Sequence, residues 1–370
     1  MSVNKADGMN YAPQVKTKGA VVQKGEFIFA ASHLDHGHIY GMANGLTEAG
    51  GLCKYVYDPD PAKVEAFIKA NPDAKAVSDF EEILQNSEIH MVASAGIPNT
   101  RGATGIKVME SGKDYFVDKC PFTTMAQLND AKAAVERTSR KYMVYYSERL
   151  HSESSIYAGQ LVKDGAIGKV VQVLGLGPHR LNLPARPDWF FKKEQYGGIL
   201  CDIGSHQCEQ FLYYADAKDA TVLHSKVGNY NNPDYPELED FGDATLVADN
   251  GATQYFRVDW FTPDALPTWG DGRLFITGTK GYIEVRKHVN INTNDEQGDH
   301  VFLCNETDYL HTNVQGKVGC PFFGELILDV LNRSENSMTQ AHAFKAAELC
   351  LTAQEKAVKV GKRVLPNHQK

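Results

Sequence analysis

From residue 27 to residue 146 short apolar runs alternate with stretches whose apolar positions recur every three to four residues. FIFAAS, CKYVYD, AKAVS, IHMVASAG, DYFVDK and KYMVYYS read as strands, while IYGMANGLTEAG, PAKVEAFIKA, DFEEILQ, RGATGIKVMESG and TMAQLNDAKAAVERTSR carry helical spacing. Strand and helix in strict alternation predict a doubly wound parallel sheet with helices on both faces. Glycines stand where helices must stop, at Gly50, Gly51 and Gly112.

After residue 150 the pattern changes. A helical stretch, SSIYAGQLVKDG, leads into VVQVLGLG, and a further helix is expected from about Asp202. ATVLHSKVG, DATLVAD, ATQYFRVDWF, GRLFITGT and GYIEVRK follow, separated by short turns rich in Gly, Asn and Asp, which predicts an open, mainly antiparallel sheet. FFGELILDVLN and MTQAHAFKAAELCLTAQEKAVKV return to helix. The fold class expected is α/β: an N-terminal Rossmann doubly wound parallel sheet over 26–147, then a C-terminal α+β domain over 148–370 with an open, mainly antiparallel sheet and a C-terminal helix. Residues 1–25 form either an arm reaching a neighbouring subunit or a frayed terminus.

Composition narrows the function classes. With 42% hydrophobic and 23% charged residues the chain is ordinary globular material, and its net charge of −8 has no basic stripe to neutralise nucleic-acid phosphates. Seven cysteines, at 53, 120, 201, 208, 304, 320 and 350, never form a CxxC pair, so neither a disulfide framework nor a structural zinc site is expected. No apolar run approaches the roughly 18–20 residues of a membrane span, and residues 1–25 lack the apolar core of a secretory signal. A soluble protein of the reducing cytoplasm is the expectation.

The first strand breaks into SHLDHGH at 32–38, the turn that faces a dinucleotide pyrophosphate in a doubly wound sheet. The G-x-G-x-x-G fingerprint is missing: Ala31, His33 and His36 occupy the glycine positions, with Gly37 beside them. Ser32, His33, His36, Gly37 and His38 are therefore candidates for cofactor contact, through helix N-terminal N–H groups and imidazole donors. A loop can also gather His33, His36 and His38 around zinc with Asp35 as a fourth ligand, or the histidines can be purely structural; the phosphate-facing reading is preferred and no metal is expected. Asp58 ends the second strand 21 residues after Gly37, where a carboxylate accepts from ribose hydroxyls and repels a 2′-phosphate, favouring NAD over NADP. The alternative is that Asp58-Pro59-Asp60-Pro61 is only a turn and helix cap.

Lys119 follows the fifth strand at its carboxyl end, within reach of a nicotinamide ribose and a substrate hydroxyl, although surface lysines are common. In YGGILCDIGSHQCEQF, Asp202 and His206 stand four apart on one helix face, a spacing that lets an imidazole accept an alcohol proton beside a carboxylate. The bland reading is a cap and a packed histidine. Arg149, His179, Arg180, Arg186 and Trp189 are candidates for a substrate rim, or for structural roles.

Together these segments resemble the glucose–fructose oxidoreductase, inositol dehydrogenase and rhizopine catabolism family, Gfo/Idh/MocA, from about residue 26 to residue 360. Its E-K-P segment appears as Asp118-Lys119-Cys120-Pro121, its G-G-x-x-x-D-x-G-x-H segment as Gly197-Gly198 with Asp202-Ile203-Gly204-Ser205-His206, and its T-P-N segment as Ile97-Pro98-Asn99. The resemblance implies a cytoplasmic NAD-dependent dehydrogenase moving hydride between a ring hydroxyl carbon of a sugar, sugar derivative or cyclic polyol and nicotinamide. It makes Lys119, Asp202 and His206 the catalytic group, places Pro98, Asn99 and Asp118 beside the cofactor, and implies a homodimer or homotetramer. Two other readings stay open: a glycoside-cleaving enzyme that oxidises transiently before elimination, and a non-catalytic NAD or sugar sensor.

Overall fold

The computed structural model describes residues 16–291 and 298–361. Its first sheet holds β1 (Ile28–Ser32), β2 (Leu52–Tyr57), β3 (Lys75–Ala76), β4 (Met91–Ser94), β5 (Asp114–Asp118) and β6 (Tyr142–Tyr145) in the order β3-β2-β1-β4-β5-β6, all parallel. The order reverses beside β1, so the carboxyl ends of β1 and β4 flank the crevice where such sheets take ligands. β1 and β4 are buried along nearly their whole length because helices cover both faces, which is why they lack a polar alternation.

The helix His38–Glu48 buries Ile39, Met42, Ala43 and Leu46, an i, i+3, i+4, i+7 stripe against the sheet. Helix Pro61–Ala70 starts with Asp60 accepting from Ala62 N–H, and helix Phe80–Gln85 starts with a capping box from Asp79 and Glu82.

The second sheet contains β7 (Val170–Pro178), β8 (Ala220–Gly228), β9 (Phe241–Ala248), β10 (Thr253–Asp259), β11 (Arg273–Gly278), β12 (Gly281–Arg286), β13 (His300–Asn305), β14 (Tyr309–Asn313) and β15 (Val358–Val360). Their order is β14-β13-β12-β11-β7-β10-β9-β8-β15, antiparallel except where β7 meets β10 and β8 meets β15. The five strands expected after residue 215 are all present; β13, β14 and β15 carry too little alternation to be read in advance. The last of these takes the end of a run expected to be helical, which stops at Lys356.

Two close approaches set the site. A Cβ on Gly175 of β7 would stand 2.0 Å from Gln207 Oε1, so the glycine lets helix Gly204–Tyr214 lie directly on the sheet. A Cβ on Gly45 would stand 2.4 Å from the Phe323 ring, so helix Phe322–Asn332 packs against helix His38–Glu48 and covers the first sheet from the far end of the sequence. Of the expected arm, residues 1–15 lie outside the described residues. Residues 16–25 are tied to this chain itself: Val21 N–H donates to Ala49 O at 2.9 Å, and Cys320 N–H donates to Lys16 O at 2.9 Å. The seven cysteines are unpaired.

Candidate active site

The turn after β1 is built by hydrogen bonds that spread its histidines in two directions. His33 adopts φ 53°, the left-handed conformation, at the second glycine position of the missing fingerprint. Its ring turns towards β2, edge-on to Phe80 at 4.9 Å and to Tyr57 at 5.8 Å. Asp35 pairs with Lys63 at 2.6 Å. His36 and His38 instead point to the end of β5, where His38 Nδ1 lies 2.8 Å from Asp118 Oδ1 and His36 Nδ1 lies 3.4 Å from Asp118 Oδ2. A loop gathering of His33, His36, His38 and Asp35 around one ion is therefore not what forms; Asp118 supplies the carboxylate.

Arg101 lies beneath this cluster and is 1% exposed. It donates to Gly96 O at 2.6 Å, Asp118 O at 3.1 Å, Cys120 O at 2.9 Å and Asp118 Oδ2 at 3.1 Å, and also to Lys119 O. The Lys119-Cys120 peptide within its reach is cis. Burial alone would raise the Asp118 pKa, but His38, Arg101 and His36 outweigh it and hold the carboxyl well below the usual range.

The expectation that helix N–H groups stand open to phosphate meets a correction. His38 N–H donates to His36 Nδ1 at 3.2 Å, while Ile39 N–H and Tyr40 N–H each donate at 3.2 Å to His36 O and Gly37 O. The first turn of helix His38–Glu48 thus satisfies itself. Asp58, rather than capping a helix, accepts from Leu34 N–H at 2.6 Å and from Asp60 N–H at 2.8 Å.

Across the cavity, Lys119 Nζ meets Asp202 Oδ1 at 2.7 Å, joining the end of β5 to the last residue of the short helix Ile199–Asp202, just before helix Gly204–Tyr214. Burial works to raise the Asp202 pKa, yet the Lys119 ammonium prevails and keeps it below its ordinary value. One turn on, His206 is buried, its Nδ1 has no hydrogen-bond partner, and burial lowers its pKa to about 3 against the pull of Glu148. It is a neutral imidazole at pH 7.

Glu148 receives Lys287 Nζ at 2.6 Å and lies 3.7 Å from His179 Nε2. Burial works to raise the Glu148 pKa, yet the Lys287 ammonium prevails and holds the carboxyl well below its usual range. Burial lowers His179 and His288 to about 4 each. The cavity wall is completed by Trp189, Phe190, Trp260 and Trp269.

Of the residues the sequence singled out, Lys119, Asp202, His206, His36, His38, Pro98, His179, Arg186 and Trp189 line this one cavity. Arg149 does not: it bonds Glu209 at 2.6 Å and stacks on Tyr213 at 4.0 Å, inside the second domain. Arg180 is likewise turned away, donating to Pro263 O at 2.9 Å and Leu266 O at 2.7 Å. Asn99 lines an adjoining groove with its Oδ1 buried and unpartnered. Sequence reasoning missed Arg101, Glu148, Lys287 and His288. Glu148 follows β6 at the carboxyl edge, a position that signals a site; Lys287 and His288 follow an antiparallel strand and carry no such signal.

Two family models match the chain: the oxidoreductase family with an NAD-binding Rossmann fold over 42–146, and the GFO/IDH/MocA C-terminal domain over 156–284. A crystal structure described as a "putative oxidoreductase" from Erwinia carotovora atroseptica is 44% identical, covers 90% of this chain and 100% of its own, and superposes with a TM-score of 0.88. The chain belongs to the Gfo/Idh/MocA oxidoreductases. Among curated relatives of the family, the scyllo-inositol 2-dehydrogenase (NAD(+)) of Bacillus subtilis is 26% identical over 276 residues, 71% of this chain and 75% of that one. Levoglucosan dehydrogenase in complex with NADH and levoglucosan has a TM-score of 0.70 at 16% identity, covering 90% of this chain and 97% of its own, a likeness of fold. The first family model begins at residue 42, beyond SHLDHGH.

A dinucleotide fits this chain at both ends of the crevice. Asp58, Tyr57, Val77 and Ser78 line a groove beyond β2, and Ser32 Oγ, His33 Nδ1 and Asn99 Oδ1 are buried polar atoms without partners around the turn. Between these ends the imidazoles of His36 and His38, instead of an open helix terminus, would face a pyrophosphate. Among the described residues, no helix is long and apolar enough to cross a membrane.

Proposed function

We propose that this chain moves a hydride between the carbinol carbon of a ring hydroxyl, in a sugar, sugar derivative or cyclic polyol, and a nicotinamide, with NAD preferred to NADP. The observation that carries it is the Lys119–Asp202 pair and the buried His206, which line one aromatic-walled cavity at the carboxyl edge of the first sheet. The nicotinamide, when bound, supplies the hydride acceptor or donor.

Lys119 spends one of its three donors on Asp202, leaving two for a substrate hydroxyl. Asp202, held ionised, fixes that ammonium and offers its second oxygen to a neighbouring hydroxyl. His206 takes the hydroxyl proton. A base of pKa about 3 suffices because loss of hydride turns the alcohol into a protonated carbonyl, a strong acid, as the transfer proceeds. Trp189, Phe190, Trp260 and Trp269 give the C–H faces of a ring apolar surfaces to lie against and exclude water. Asp58 at the end of β2 disfavours a 2′-phosphate, which supports NAD.

The test is a panel of sugars, sugar acids and inositols with NAD and with NADP, following absorbance of the reduced cofactor. Turnover with NAD that His206→Ala abolishes is the expected result. Unimpaired turnover in that variant sinks the assignment, and equal use of NADP sinks the cofactor preference.

A further inference from the structure

We propose that His36, His38 and Asp118 form a binding site for one divalent transition-metal ion, open to the cavity on its fourth side. The site lies on the turn that the proposed cofactor would face, and its test reads metal binding in the absence of nucleotide, apart from turnover. Three residues from three places, the turn after β1, the first position of helix His38–Glu48 and the last position of β5, bring one ligand atom each to within 4.8 Å of one another. Ligands about 2.1 Å from a shared tetrahedral ion stand about 3.4 Å apart. His36 Nδ1 and Asp118 Oδ2 already stand 3.4 Å apart, and His38 Nδ1 would move out from its 2.8 Å hydrogen bond to Asp118 Oδ1 to take the ion.

A second observation points to a cation. His36 Nδ1 stands 3.2 Å from the His38 N–H and 3.4 Å from Asp118 Oδ2; as the unprotonated tautomer it sets a lone pair against a carboxylate oxygen, and an ion taking that lone pair would replace the His38 N–H contact. Two acceptors turned towards each other repel unless positive charge lies between or beside them. Arg101 meets part of that need from below, donating to Oδ2 at 3.1 Å.

The surroundings select the kind of ion. Asp118 is already balanced by Arg101, so the site offers almost no net negative charge, which disfavours the hard, oxygen-seeking Mg²⁺ and Ca²⁺. Two imidazoles and one carboxylate with an open position suit Zn²⁺, Co²⁺, Ni²⁺ or Fe²⁺. Arg101 then acts as the hydrogen-bond partner that orients a ligating carboxylate.

The experiment uses the full chain, stripped with chelator and titrated with Zn²⁺ and Co²⁺, with calorimetry for stoichiometry and visible absorption of Co²⁺ for coordination. About one ion per chain is expected, together with a visible Co²⁺ spectrum showing nitrogen ligation. His33→Ala should leave both unchanged, because its ring faces Phe80. His38→Ala and His36→Ala should each weaken binding at least tenfold. Near-UV circular dichroism reports whether each variant is folded; where His38→Ala is not, His38→Gln replaces it, keeping bulk and losing the imidazole. Absence of stoichiometric binding overturns the proposal, as does binding that survives both the His36 and His38 substitutions or is lost in His33→Ala.

Discussion

The two walls of the cavity manage their polar groups in opposite ways. On the side of the first sheet, Asp118 is held by His36, His38 and Arg101, and Arg101 ties down four backbone carbonyls besides. On the side of helix Gly204–Tyr214, the cavity-lining residues His206 and Glu148 have buried atoms, Nδ1 and Oε1, without a hydrogen-bond partner. A buried polar atom left unsatisfied costs about 1–3 kcal/mol, and a fold retains several in one cavity where a ligand completes them. Around Asp118 the site is built for order, and around His206 it is built for a guest.

That contrast is broken most directly by function. His206→Ala should lower turnover by about two to four orders of magnitude while moving the melting temperature less than any change on the first wall, measured by steady-state kinetics beside calorimetry. Arg101→Met should do the reverse to the fold: Asp118 stays buried without its guanidinium, a loss of about 3–5 kcal/mol read by chemical denaturation. If the two variants exchange these outcomes, the distinction between the walls is wrong.

Acid should strain the second wall first. Burial lowers His206 to about 3 and His179 and His288 to about 4, below the ordinary 6.5, so the unfolded chain binds more protons between those limits. Their contribution is full above pH 6.5 and is lost as pH falls towards 4. Melting temperature should decline across that window, and His288→Asn should make the decline shallower; a profile flat from pH 7 to pH 4.5 contradicts the assignment. The smallest effect lies outside the cavity. Gly45→Ala gains helix propensity but drives a Cβ to 2.4 Å from Phe323, for a net loss of about 1–3 kcal/mol in denaturant titrations.

Most of the architecture was legible in advance because its causes are local. Alternating apolar runs and helical stripes marked the six strands of the first sheet, and the helix caps at Asp60 and Asp79 stand beside the runs they start. Lys119, Asp202 and His206 were legible because each sits at a strand end or helix start with a fixed position in the fold. Arg149 and Arg180 were misplaced for the opposite reason: an arginine reads the same whether it rims a cleft or braces the interior, and the difference lies in Glu209 and in the carbonyls of Pro263 and Leu266, far away in sequence. SHLDHGH was read as a single constellation, and the fold divides it.

The sequence by itself determined the class of the chain, two sheets of different kinds, and the chemistry-bearing residues at the carboxyl edge, since periodicity and spacing are properties of neighbouring positions. Only the tertiary structure decided which histidines share a carboxylate, that Glu148 meets Lys287 across 139 positions, and that the first turn of the first helix caps itself. Those outcomes depend on distances between segments far apart along the chain, which packing sets and local pattern does not record.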